Sequence, residues 1–69
     1  PYIVARMLEA AAIGPDDRVL EVGAGSGYAA AVASRLGRRV HAIERIGTLA
    51  DAARERLRRA GCDNVELRV

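Results

Sequence analysis

The chain has 69 residues, eleven of them basic and all arginine, with nine acidic residues, a net charge of +2, 51% hydrophobic content and 29% charged content. That balance belongs to a globular chain rather than a disordered one, and the length admits one small domain with a marginal core. A single cysteine, Cys62, excludes an internal disulfide, no Cys/His cluster has zinc-ligand spacing, and no apolar run approaches the ~20 residues of a membrane span.

In chain order, residues 2–13 place Ile3, Val4, Met7, Leu8 and Ala11 on one helical stripe, which Gly14-Pro15 ends before a polar turn at Asp16-Asp17. Residues 18–22 read as a strand with apolar groups on both faces, the pattern of a central parallel strand. An alanine-rich helix runs from Ser26 or Gly27 to Leu36, with Gly37 as its C-terminal cap. Val40, Ala42 and Ile43 form a second strand ending at Glu44. Leu49, Ala52, Ala53, Leu57 and Ala60 form the stripe of a third helix, closed by Gly61. After a turn at Asp63-Asn64, Val65, Leu67 and Val69 alternate with Glu66 and Arg68 as a strand with one solvated face.

The order α-β-α-β-α-β predicts an α/β fold, a partial Rossmann-like layer of three parallel strands in the order 3-2-1. Right-handed crossovers would put both connecting helices on the same face of that sheet and leave the other face bare. Val19, Leu20 and Val22 nevertheless supply apolar groups to both faces, and parallel sheets are normally covered on both sides. Residues 1–69 are therefore expected to be a fragment of a larger domain.

The chemistry concentrates at Leu20-Glu21-Val22-Gly23-Ala24-Gly25-Ser26-Gly27-Tyr28. Glycines at alternate positions between a strand and a helix allow a sharp turn against which a ligand can lie. Glu44 follows Gly23 by about twenty residues, the distance at which nucleotide-binding βαβ units place a ribose-holding carboxylate. The dinucleotide fingerprint needs its third glycine one position later, where Tyr28 stands, and a phosphate loop would need a lysine that the chain lacks. A nicotinamide-type site and a tight turn without a ligand remain the alternatives. The Gly-x-Gly-x-Gly loop preceded by Glu21 resembles the first motif of the S-adenosylmethionine-dependent methyltransferases.

A narrower resemblance extends along the whole chain. Pro1-Tyr2-Ile3-Val4-Ala5-Arg6-Met7, Val19 to Tyr28, Val40-His41-Ala42-Ile43-Glu44-Arg45 and Asn64-Val65 are similar to segments of the bacterial protein-L-isoaspartate O-methyltransferases. That resemblance implies methyl transfer from S-adenosylmethionine to the carboxylate of L-isoaspartyl residues in damaged proteins. The ester then cyclises to a succinimide and allows return to the normal linkage. It implies that Gly23, Ala24, Gly25 and Gly27 shape the loop beneath the cofactor's methionine, and that Glu21 faces its ammonium. Glu44 would accept from the ribose hydroxyls, and Arg45 would close over the ribose or adenine edge.

The resemblance also implies that the family's functional serine precedes the segment at Pro1 and that its Gly-Asp-Gly motif follows Val69, so that residues 1–69 are expected to be a partial S-adenosylmethionine-binding domain truncated at both ends. Isoaspartyl proteins or peptides are the implied partners, and no catalytic acid or base is evident among these residues.

Each site residue has a plainer alternative. Glu21 could pair with Arg18 or Arg39, Glu44 could serve the start of the following helix, and Arg45 could be a solvated arginine. His41 reads as mid-strand packing, Tyr28 as a packing residue and Cys62 as an incidental thiol. The arginines at 54, 56, 58 and 59 share a helix with Asp51 and Glu55 and lack interleaved aromatics, so they read as a solvated face rather than a nucleic-acid surface. No nucleic-acid or membrane partner is expected, and the cytoplasm is the expected compartment. Two other functions stay open: a methyltransferase with a different acceptor, and a catalytically silent fragment acting as an interaction module.

Overall fold

The computed structural model describes residues 2–69, with the side chain of Tyr2 left aside. Its elements are α1 (Tyr2–Ala11), β1 (Arg18–Val22), α2 (Tyr28–Leu36), β2 (Arg39–Ile43), α3 (Gly47–Arg59) and β3 (Val65–Arg68). The sheet is parallel throughout with β2 at its centre, the predicted order. Register pairs Leu20 with His41 and Val22 with Ile43, then His41 with Glu66 and Ile43 with Arg68.

Successive strand residues point to opposite faces, so this register sorts the sheet into two surfaces. One carries Val19, Val40, Ala42, Val65 and Leu67, which pack with Ala30 and Ala33 of α2 and Ala50, Ala53 and Leu57 of α3. Small helix residues allow this close approach, and Ala30, Ala50 and Ala53 have no exposed surface at all. The other face carries Leu20, Val22, His41, Ile43, Glu66 and Arg68. Leu20 is 66% exposed and Val22 77% exposed. Fully burying such a side chain is worth ~1.5–3 kcal/mol, and the layer forgoes that on this face. Ile3 and Met7 of α1 are exposed as well.

Element boundaries differ from expectation for local reasons. The first helix stops at Ala11 rather than continuing to residue 13, because Ala12 takes a left-handed conformation at φ 53°. Its N–H still donates to the Glu9 carbonyl at 3.1 Å. Gly37 ends α2 in an extended conformation, not as a left-handed cap. Glycine is needed there for space: a Cβ would lie 3.1 Å from the Asp17 carbonyl and 3.2 Å from methyls of Ile13 and Val19. The Asn64 side chain donates to the carbonyls of Ser34 and Arg38 at 2.9 and 3.2 Å, so the turn residue also ties down the end of α2. On α3 the buried stripe is Ala50, Ala53 and Leu57, whereas Leu49, Ala52 and Ala60 are exposed. Gly61 is left-handed, φ 72°, as a helix-ending glycine should be.

Candidate cofactor site at the strand ends

The loop after β1 and the turn after β2 lie side by side at the carboxyl end of the sheet, where open α/β layers bind ligands. Gly23, Gly25 and Gly27 all adopt positive φ, at 79°, 53° and 87°. Side chains rarely tolerate that region, which accounts for the alternating glycines. Their surroundings divide them. A Cβ on Gly23 would meet nothing within 4 Å, and one on Gly25 only the Gly23 carbonyl at 4.0 Å. A Cβ on Gly27 would lie 3.3 Å from the Ala53 Cβ. Gly23 and Gly25 thus form an open cradle, and Gly27 allows the loop to rest on α3.

Four amides of this loop turn inward. Gly23 N–H and Ala24 N–H both donate to the Ile43 carbonyl, at 2.8 and 3.1 Å, and Gly27 N–H donates to the Ala24 carbonyl at 2.9 Å. Gly25 N–H donates to Glu44 Oε1 at 2.8 Å. The N–H groups of Gly23, Ala24, Gly25 and Gly27 are thus engaged in holding the shape of the loop, and the Ser26 N–H is not among the paired amides of the described residues. Ala24, at 5% exposure, belongs to the core.

Glu44 is 6% exposed and sits just past β2, where its own N–H donates to the Arg68 carbonyl at 2.8 Å. Its Oε2 accepts from Ile46 N–H at 3.0 Å, at the entrance to α3. One carboxylate therefore joins the glycine loop to the start of the third helix, so the helix-start alternative describes half of its contacts. The hydrogen bonds from Ile46 and Gly25 hold its pKa below the ordinary glutamate value. Each oxygen retains a second lone pair, which leaves acceptor capacity for a hydroxyl. Arg45 remains exposed beside it.

Glu21 shows the opposite electrostatics. It lies on the covered face of β1, beside a crevice of ≈ 470 Å³ also lined by Met7, Leu8 and Ile13. Its Oε1 is buried and has no hydrogen-bond partner among the described residues, and burial raises its pKa. The alternative pairing with Arg18 or Arg39 does not occur among the described ion pairs. A buried carboxylate oxygen without a donor is costly, and a ligand ammonium is the kind of group that would relieve it.

Several residues were placed differently by sequence reasoning. His41 is not packed inside: it stands on the open face with Nδ1 3.4 Å from Glu66 Oε1. Only strand register makes them neighbours. Tyr28 is 44% exposed rather than packed, and Cys62 is not an incidental thiol but part of the core. The arginines of α3 are partly intramolecular braces. Arg54 donates to the Leu67 carbonyl at 2.9 Å, Arg56 to the Ser26 carbonyl at 3.3 Å, and Arg58 and Arg59 pair with Glu55. Pro1 and the Tyr2 side chain, which the family segment includes, lie outside the described residues. Among the described residues no group of three metal-ligating side chains gathers, and no helix is long and apolar enough to cross a membrane.

A parallel layer with a glycine cradle at the end of β1 and a carboxylate at the end of β2 defines the class of nucleoside-cofactor-binding α/β proteins. Within that class the whole chain, residues 1–69, matches the family described as protein-L-isoaspartate(D-aspartate) O-methyltransferase, and it belongs to that family. A curated protein-L-isoaspartate O-methyltransferase of Methylorubrum extorquens is 61% identical over 69 residues, which are 100% of this chain and 30% of the relative. A solved protein-L-isoaspartate O-methyltransferase superposes with a TM-score of 0.84 at 33% identity, covering 94% of this chain and 22% of that one. A dimethyladenosine transferase from Plasmodium falciparum gives a TM-score of 0.92 at 28% identity, covering 97% of this chain and 24% of that one. The chain spans about a third of the length of the curated relatives it matches.

Proposed function

We propose that this chain is the methionine- and ribose-binding part of an S-adenosylmethionine-dependent methyltransferase that acts on L-isoaspartyl residues of damaged proteins. The observation that carries the reading is the open cradle of Gly23 and Gly25 beside the Glu44 carboxylate. The bare apolar face of Leu20, Val22 and Ile43 supports the companion proposal that residues 1–69 are part of a larger domain, whose other segments cover that face. The cytoplasm is the proposed compartment.

The residues fit the cofactor in four ways. Glu44 offers its remaining lone pairs to the ribose hydroxyls, and its committed hydrogen bonds fix where they point. Glu21 offers an unpartnered buried oxygen to the ammonium of the methionine moiety. Gly23, Ala24, Gly25 and Gly27 supply a turn in which the Cβ positions of Gly23 and Gly25 stand clear of every described side chain, and Arg45 can fold over the adenosine from its exposed position. Bound S-adenosylmethionine supplies an activated methyl group on its sulfonium. The protein's task is then positioning and electrostatics, and an ionised acceptor carboxylate needs no general base from this chain.

The test is transfer of labelled methyl from S-adenosylmethionine to an isoaspartyl peptide by the complete domain, with the matching aspartyl peptide as control. Labelling of the isoaspartyl peptide alone is expected. Labelling of some other acceptor, with neither peptide modified, would move the chain to a different methyltransferase. Absence of both labelling and cofactor binding would leave the silent-fragment reading in place.

A further inference from the structure

The glycine loop has its back to α3, and the contact is concentrated on one residue. The three atoms nearest a Cβ built on Gly27 all belong to Ala53: its Cβ at 3.3 Å, its Cα at 3.5 Å and its carbonyl oxygen at 3.5 Å. Ala53 has no exposed surface. Gly27 is tied to the rest of the loop by its N–H on the Ala24 carbonyl, and to α2 by its own carbonyl, which accepts from Ala31 N–H at 2.9 Å. One turn further along α3, Arg56 Nη1 reaches the Ser26 carbonyl, 30 positions away in sequence. At the other end of the helix, Ile46 N–H meets the same Glu44 carboxylate that holds Gly25. By contrast, no atom of α3 comes within 4 Å of a Cβ position on Gly23 or Gly25. The cradle side of the loop is open at Gly23 and Gly25, and the buttressed side lies against Ala53, with Arg56 tied to the neighbouring Ser26 carbonyl.

We propose that Ala53 is a positioning residue for the cofactor loop, its side-chain volume fixing how far the cradle of Gly23 and Gly25 stands above the strand ends. The inference rests on the cofactor reading above. Packed interiors transmit small volume changes instead of absorbing them, so an added or removed methyl at this contact displaces the loop. Ala50 is the matched comparison: it lies one turn earlier on the same helix, is equally buried, and is not among the nearest neighbours of any loop glycine. A residue that merely stabilises the helix would act as Ala50 does.

The test compares Ala53→Val, Ala53→Gly and Ala50→Val in the complete domain. The readouts are the amide shifts and hydrogen exchange of Gly25 and Gly27 without ligand, and the Kd for S-adenosylhomocysteine. Ala53→Val is expected to move both amides and to weaken binding by roughly tenfold or more, as sub-ångström to ångström misplacement does. Ala50→Val should lower Tm while leaving the Kd of the folded protein within about twofold, the small effect expected of a remote site. If Ala53→Val does not fold, Ala53→Gly decides: faster exchange at Gly27 and a severalfold rise in Kd support the proposal. Equal changes in affinity from both valine variants would overturn it, as would unmoved loop amides in Ala53→Gly. An unaltered domain that ignores S-adenosylhomocysteine would defeat the cofactor reading, while the ligand-free amides would still judge the role of Ala53.

Discussion

The two ends of the glycine loop share one backbone requirement and face different surroundings. Gly23 and Gly25 have positive φ with open space where a side chain would stand, whereas Gly27 has positive φ with Ala53 already there. A common sequence motif thus contains two physical jobs, leaving one surface open and letting a helix approach. Substitution at the first kind of position should damage binding, and substitution at the second should damage the fold.

The largest effect should come from Gly27→Ala. It combines a left-handed backbone with a crowded Cβ, and together these should cost about 2–4 kcal/mol of the complete domain's stability. Denaturant unfolding measures it, and a loss below about 1 kcal/mol would mean that the contact with Ala53 yields easily.

Glu44→Gln comes next. An amide NH₂ would then face a backbone donor, either Gly25 or Ile46, so the cradle loosens as the proposed ribose acceptor is lost. Calorimetric titration of the variant domain should show S-adenosylmethionine affinity falling by roughly ten- to a hundredfold. The same carboxylate carries a pH signature. Its folded pKa lies below the ordinary value of 4.5, so its ionised form contributes stability that is full above that value and is lost as the pH falls through the lowered one. The stability gap between the unaltered protein and Glu44→Gln should therefore narrow in acid.

Gly25→Ala sharpens the comparison directly. Backbone strain of about 1–2 kcal/mol is its main structural cost, since no atom crowds the new methyl. Affinity for S-adenosylmethionine should fall more than stability does, a ratio opposite to that of Gly27→Ala. Paired unfolding and binding titrations would detect the reversal, and equal ratios would erase the distinction between the two ends.

Glu21→Gln should have the smallest effect on folding and one of opposite sign to Glu44→Gln. Burial raises the Glu21 pKa above 4.5, so ionisation opposes folding above the raised value, progressively less as the pH approaches 4.5, and not at all below it. The ligand-free Gln variant should be more stable at neutral pH, with that advantage gone in acid, yet should bind S-adenosylmethionine less tightly. Thermal unfolding at two pH values checks the first half.

Much of this layer is readable from the chain. Periodicity and the punctuation at Gly14-Pro15, Gly37 and Gly61 mark each element, and crossover handedness gives the bare face before any coordinate is known. The glycine loop, Glu21 and Glu44 are legible as candidates because they stand at strand ends in a recognisable spacing, whereas Arg45 enters only through the family resemblance. The tertiary roles are not. The hydrogen bond from Gly25 to Glu44 spans 19 positions, and the contact of Gly27 with Ala53 involves an alanine that looks like any other on its helix. Neither follows a period. The inward direction of the loop amides depends on the Ile43 carbonyl, and the pairing of His41 with Glu66 depends on strand register. Each is created by assembly rather than by local sequence.

The cradle of Gly23 and Gly25 beside Glu44 is proposed to hold the methionine and ribose of S-adenosylmethionine. Titration of S-adenosylhomocysteine into the isotopically labelled complete domain, followed through its amide signals, is the sharpest test. Saturable shifts centred on Gly23, Gly25, Ser26, Glu44 and Arg45 are expected, with the outer face of α3 at Arg58 and Arg59 unmoved. Binding that shifts other regions and leaves the signals of Gly25 and Glu44 in place would contradict that proposal.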